Sequence, residues 1–228
     1  MIRGGKVRVE EIIGISRGIL FDFNGTLSND EGILEQAYDS ALLQLGLTGL
    51  NSGEYAALLG RSDPDIAQAV LEHRGEGARI NEFLSALADI YPAASISAGC
   101  LTPDSVAFVK WLLNNDKKVG IVTGTLRSMI EPVLAEYGLA EELNCLVTIE
   151  DVQAGKPDPE GFALGAQLLA VKAQEILVFE DSNAGFAAAH SLGMQVVGIG
   201  GAIETTRLAA HYLTMDDLAA EVVALEGS

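Results

Sequence analysis

Apolar positions along the chain change their period twice. Near the start, Ile19-Leu20-Phe21 form an unbroken apolar run that ends on Asp22 and passes at once into Phe23-Asn24-Gly25-Thr26-Leu27. A run this short, closed by a glycine turn, predicts a buried strand over 17–22. From Asn29 or Asp30 the spacing turns helical: Leu34, Tyr38, Ala41, Leu42 and Leu45 share one face, and Gly46 supplies a stop. Ser62 or Asp63, with Pro64 behind it, opens a second helix that reaches about His73. Ile80, Phe83, Leu84, Leu87 and Ile90 place a third over 79–91. No strand is predicted between 30 and 98.

After Gly99 the pattern alternates. Helices are predicted from Thr102-Pro103 to Asn115, over Leu126–Tyr137, from Asp158 to Ala170, over Ala184–Leu192 and from Asp216 to Leu225. Between them lie strands at Lys118–Thr123, Cys145–Ile149, Ile176–Phe179 and Gln195–Ile199. Strands alternating with helices imply a parallel sheet covered on both faces, an α/β fold. Residues 1–16 are ambiguous, since Val7, Val9 and Ile12-Ile13 fit either an extra strand or a short helix.

Charge and length narrow the partners. The 228 residues suffice for one large domain or a core with a smaller companion. Thirty-two acidic against 14 basic residues leave a net charge of −18. That argues against nucleic acid and against anionic membrane, both of which are bound through basic patches. No apolar run reaches the length of a membrane span, and residues 1–16 lack the apolar stretch of a signal peptide, so a cytoplasmic protein is expected. Cys100 and Cys145 stand apart from any metal-binding spacing.

The candidate chemistry lies at strand ends. Ligands of open α/β sheets bind outside the carboxyl ends of the strands. Asp22, just past the first strand, suits attack on phosphorus or the binding of a hard cation. Thr123-Gly124-Thr125 follows the second strand with a hydroxyl and backbone N–H groups suited to an oxyanion. Lys156, between Gly155 and Pro157, is a rigidly placed cation. Glu180-Asp181-Ser182 sets two acids after an apolar strand, either as ligands for Mg²⁺ or as acids at a helix N-terminus.

Taken in this order, DFNGTL at 22–27, Thr123 of IVTGT, Lys156 of AGKPDP and FEDSNAG at 179–185 resemble the four motifs of the haloacid-dehalogenase superfamily of phosphotransferases and hydrolases. The resemblance runs from Ile19 to about Gly200. It implies a Rossmann-like α/β core, residues 1–28 and 100–228, with an inserted helical cap over 29–99 like that of β-phosphoglucomutase and phosphoglycolate phosphatase. It also implies a Mg²⁺-dependent hydrolase of a small phosphorylated metabolite, acting as a monomer or homodimer. Asp22 would be the nucleophile that forms an aspartyl-phosphate. Thr123 and the N–H of Gly124 would bind the phosphoryl group, and Lys156 would offset its charge. Asp22, the backbone carbonyl of Asn24, Asp181 and Glu180 would hold the metal. Arg61, in LLGRSDPD, would reach the substrate from the cap.

One position departs from the family. Its phosphatases carry a second Asp two residues after the nucleophile, which protonates the leaving group and then activates water. Here that position is Asn24, whose amide cannot do either near neutral pH. Several readings follow: a slow phosphatase that borrows another group such as Asp30 or a water, an engineered Asp→Asn change, a non-catalytic binder of phosphorylated ligands, or, less well, a phosphomutase.

Overall fold

The computed structural model describes residues 8–201, 203 and 207–224. A short helix α1 (Val9–Ile15) precedes strand β1 (Gly18–Phe21), so the ambiguous start is helical; Val7 lies outside the described residues. Three helices follow: α2 (Glu31–Gln44), α3 (Asp63–Glu72) and α4 (Ile80–Ala98). The alternating part contains α5 (Pro103–Asn114), β2 (Lys118–Val122), α6 (Arg127–Glu136), β3 (Cys145–Val147) and α7 (Glu160–Leu169). It continues through β4 (Ile176–Glu180), α8 (Asn183–Ser191), β5 (Gln195–Ile199), β6 (Ala210–Tyr212) and α9 (Met215–Ala224).

The six strands form one parallel sheet in the order β3-β2-β1-β4-β5-β6. β1 sits centrally between β2 and β4, and all four of its residues are buried, which is why its sequence is continuously apolar. Its side chains divide by parity. Ile19 and Phe21 join Phe108, Val119, Ile121, Leu177 and Phe179 on one face, where Phe21 stacks on Phe179 at 4.8 Å between ring centroids. Leu20 joins Val122, Phe162, Ala166 and Val178 on the other.

Three expectations are revised. β6 was not foreseen. It is a three-residue edge strand whose residues are only partly buried, so it carries no apolar signature. The third predicted helix runs on to Ala98 instead of ending at 91, through the buried Pro92, and stops at Gly99 in a left-handed conformation (φ 69°). A proline within a helix removes one backbone donor, a loss that burial of Tyr91, Pro92 and Ser95 offsets. The strand expected over 145–149 ends at Val147, because Ile149–Asp151 turn as a single 3₁₀ turn. No single helix among the described residues is long and apolar enough to cross a membrane.

Candidate active site

The strand order reverses direction at β1, and there the carboxyl ends of β2, β1 and β4 lie side by side. Such a reversal leaves a crevice above the sheet edge. Asp22 extends β1 by one residue, its N–H donating to the Phe179 carbonyl at 2.9 Å. Glu180 closes β4, and Asp181 follows it. Thr123 extends β2, donating its N–H to Val147 at 2.9 Å. The Thr125 N–H donates to Thr123 Oγ1 at 3.1 Å, which leaves the Thr123 hydroxyl proton available to an incoming oxyanion.

Lys156 enters from the loop before α7, beside a cis bond to Pro157. Its ammonium donates to Asp22 Oδ1 and, at 2.7 Å, to Glu180 Oε2. The Glu180 carboxylate is wholly buried and saturated: Oε1 also accepts from the N–H groups of Asp181 and Ser182 and from the Ser182 hydroxyl. That carboxylate lies directly over Gly185, where an added Cβ would sit 1.9 Å from Glu180 Oε2, so the glycine is required by the close approach. Gly25 has a positive φ of 74°, and a Cβ there would fall 2.5 Å from Asp181 Oδ2. The two glycines thus make room for the two carboxylates.

Asp22, Glu180 and Asp181 bring ligand oxygens within 4.8 Å of one another. Against three carboxylates the cluster holds one ammonium. Burial raises the Asp22 carboxyl above its usual value, Lys156 opposes the rise and Glu180 adds to it. Asp181 is raised too, first by burial and then by the charges of Asp22 and Glu180. Its side chain receives one weak bond, from Thr26 Oγ1 at 3.3 Å. An all-oxygen donor set with surplus buried negative charge fits a hard divalent cation such as Mg²⁺.

Asn24 faces another way. Its Nδ2 donates to Asp30 Oδ2 at 2.7 Å and to the Tyr91 hydroxyl at 3.0 Å, while its Oδ1 accepts from Thr125 Oγ1 at 2.5 Å. The Tyr91 hydroxyl also donates to Asp30, and the Gly25 N–H reaches Asp30 Oδ1 at 3.3 Å. Asp30 is buried and its carboxyl is raised, chiefly by that burial.

A cavity of about 550 Å³ covers the edge. Asp22, Thr123 and Lys156 line it from the sheet side; Leu34, Tyr55 and Arg61 line it from the helical segment 29–99. The sheet side meets that segment directly, since the Asp63 N–H donates to the Gly124 carbonyl at 3.0 Å. Arg61 is exposed at this cavity and makes no ion pair or side-chain hydrogen bond among the described residues. Asp22, Asn24, Arg61, Thr123, Gly124, Lys156, Glu180 and Asp181 therefore border one space, and Asp30 lies behind Asn24, outside the cavity lining. Sequence reading missed Tyr91, and it did not foresee the contacts of Thr125 with Asn24 or of Asp63 with Tyr38. Asp63 carried a misleading signal: it reads as a helix cap, but Ser62 is the cap, accepting from the Asp65 N–H, and this frees Asp63 to turn inward against Tyr38.

A buried carboxylate cluster at the reversal point of a parallel sheet, under a cavity bordered by helices, is the arrangement of an α/β enzyme. The sequence profile of the haloacid dehalogenase-like hydrolases matches residues 19–199. The chain belongs to the haloacid dehalogenase-like hydrolase family. The validoxylamine A 7'-phosphate phosphatase of Streptomyces hygroscopicus subsp. limoneus is 27% identical over 201 residues, covering 87% of this chain and 92% of its own. The phosphoglycolate phosphatase of Yersinia pseudotuberculosis is 27% identical over 186 residues, 80% of each chain. The crystal structure of CbbY from Rhodobacter sphaeroides in complex with phosphate superposes with a TM-score of 0.79 at 21% identity, over 89% of this chain and 96% of that one, which shows the shared fold. The family resemblance read from the motifs holds, and both of these curated relatives are named as phosphatases.

Proposed function

We propose that this chain is a cytoplasmic, Mg²⁺-dependent phosphomonoester hydrolase that forms an aspartyl-phosphate on Asp22, with residues 29–99 acting as a cap over residues 1–28 and 100–228. Its substrate is a small phosphorylated metabolite of the phosphoglycolate or sugar-phosphate type, as the names of the relatives suggest. The observation that carries the reading is the meeting of Asp22, Lys156 and Asp181 beneath one cavity.

Phosphoryl transfer needs positioning and charge compensation more than elaborate covalent chemistry. Asp22 supplies the attacking oxygen. Lys156 holds that carboxylate in place and offsets charge on the phosphoryl oxygens. The Thr123 hydroxyl and the Gly124 N–H receive the phosphoryl group. Asp22, Asp181 and the Asn24 backbone carbonyl would hold the cation, with Glu180 as the most fully bonded member of the set. The ion supplies charge neutralisation and orientation of the phosphate. Closure of the helical segment excludes water from the reacting group.

The test is phosphate release from a panel of small phosphomonoesters with and without Mg²⁺, using Asp22→Ala as the blank. Turnover above the blank supports the reading. Tight Mg²⁺-dependent binding of phosphorylated ligands, with no turnover by this chain or by Asn24→Asp, replaces it with a binder.

Arg61 gives a finer prediction. A free arginine at the cavity of a strongly acidic protein suits the part of the substrate remote from the transferred group. Arg61→Ala is expected to raise KM roughly 10–100-fold, the worth of one charge-assisted hydrogen bond, with kcat changed only a few-fold. Steady-state kinetics on the best panel substrate checks it; an unchanged KM removes Arg61 from the binding site.

A further inference from the structure

Asn24 leaves the reaction without its usual proton carrier, yet a buried carboxyl stands two contacts away. Asp63 is only 3% exposed and borders the same cavity as Asp22. Its Oδ1 accepts from the Tyr38 hydroxyl at 2.7 Å, while Oδ2 is buried without a hydrogen-bond partner among the described residues. The Thr125 side chain lies beside this carboxyl. Thr125 gives its single proton to Asn24 Oδ1 and so does not satisfy Asp63. It does have an acceptor lone pair to offer a protonated Asp63. A buried oxygen left unpaired is unfavourable as an anion and satisfied as an O–H donor.

We infer that Asp63, acting through the Thr125 hydroxyl, delivers and recovers the proton that Asn24 cannot carry. The inference rests on the phosphatase reading above. In the first step an Asp22 oxygen bonds to phosphorus and the ester P–O bond breaks. The leaving oxygen takes the Thr125 hydroxyl proton as Asp63 Oδ2–H passes its own to Thr125 Oγ1. In the second, a water oxygen bonds to phosphorus and the Asp22 O–P bond breaks. The water gives a proton to Thr125, which returns one to Asp63. Ester and water become alcohol and phosphate, and both aspartates are restored.

The surroundings favour a carboxyl that can cycle. Burial pushes Asp63 up to about 6, with the Tyr38 hydroxyl opposing the rise and the Asp30 charge adding to it. Tyr55 also faces it from the helical segment. The first step needs the protonated form, so kcat/KM for alkyl phosphates is expected to fall as pH rises above about 6.

The test measures the chain, Asp63→Asn, Thr125→Val and Thr125→Ser, with Asn24→Asp as a separate control. Asp63→Asn and Thr125→Val are expected to lose roughly 100-fold or more in kcat on an alkyl phosphate and to lose the alkaline fall in kcat/KM. Thr125→Ser, which keeps the hydroxyl, restores both. With p-nitrophenyl phosphate, whose leaving group needs no proton, Asp63→Asn keeps a stoichiometric burst of nitrophenol and then stalls. Adding Asn24→Asp to Asp63→Asn regains turnover, which shows that the doubly substituted chain folds. Retention of kcat within about threefold in Asp63→Asn overturns the inference, as does a loss in Thr125→Ser equal to that in Thr125→Val. If Asn24→Asp turns over and the unaltered chain does not, the proton route falls and the phosphatase reading stands. If neither turns over on any substrate, both fall.

Discussion

Asp22→Asn is expected to stop phosphate release while leaving the protein folded and, at neutral and alkaline pH, more stable than its parent. The kinetic half follows from the role of Asp22 as attacking group, held by Lys156, while its neighbour Glu180 is engaged by Lys156, the turn N–H groups and Ser182. Loss of a covalent nucleophile removes roughly 10⁴-fold or more of the turnover. The stability half follows from burial. Asp22 is 7% exposed, and its carboxyl is raised because the anion is desolvated and faces Glu180. Asparagine keeps the shape and still accepts from Lys156, which retains Glu180 as counter-ion at 2.7 Å. The gain should be of order 1–3 kcal/mol above pH 7. Phosphate assays paired with thermal melts check both halves. An Asp22→Asn protein that is dead because it has unfolded gives no support to the nucleophile.

The second large effect concerns protons and Mg²⁺ together. Asp22 and Asp181 both have carboxyls raised above the usual 3.8 in the folded chain. Above about pH 4, therefore, the metal-free folded state holds more protons than the unfolded state. The stability these groups contribute is complete below that value and is lost as pH rises through their folded values into the neutral and alkaline range. A divalent cation replaces the protons. Mg²⁺ is expected to raise Tm little at pH 5 and strongly at pH 8, where a concentration one hundred times Kd adds about 2.7 kcal/mol to the folding free energy. Asp181→Asn should remove most of that increment. Calorimetric melts with and without chelator at the two pH values decide it; a Tm indifferent to Mg²⁺ at pH 8 ends the metal assignment.

Much of this was legible along the chain because β1, β2 and β4 are buried on both faces and their apolar runs end where the chemistry begins. Parallel packing makes each strand end visible as the first polar residue after the run: Asp22, Thr123, and Glu180 closing β4 itself. β6 lacked that signature, since an edge strand of three half-exposed residues buries too little to dictate its composition. The surroundings of Asn24 were hidden for a different reason. Asp30, Tyr91 and Thr125 converge on it from three separate parts of the chain, and the contacts span up to 101 residues of sequence. Asp63 was masked by its neighbour, because Ser62, Asp63 and Pro64 together resemble a helix start whichever of the first two is the cap.

The way Asn24 is held has a consequence for descent. Its amide gives Asp30 and Tyr91 a donor, and an aspartate in its place would set a second carboxylate against Asp30. Two such groups in contact cannot both ionise, so one keeps a proton and the amide's bonds are lost, at roughly 1–3 kcal/mol. Positions 24 and 30 are thus epistatic. An aspartate at 24 is therefore tolerated best when Asp30 is replaced first, so the neighbour sets the order in which the two positions can change.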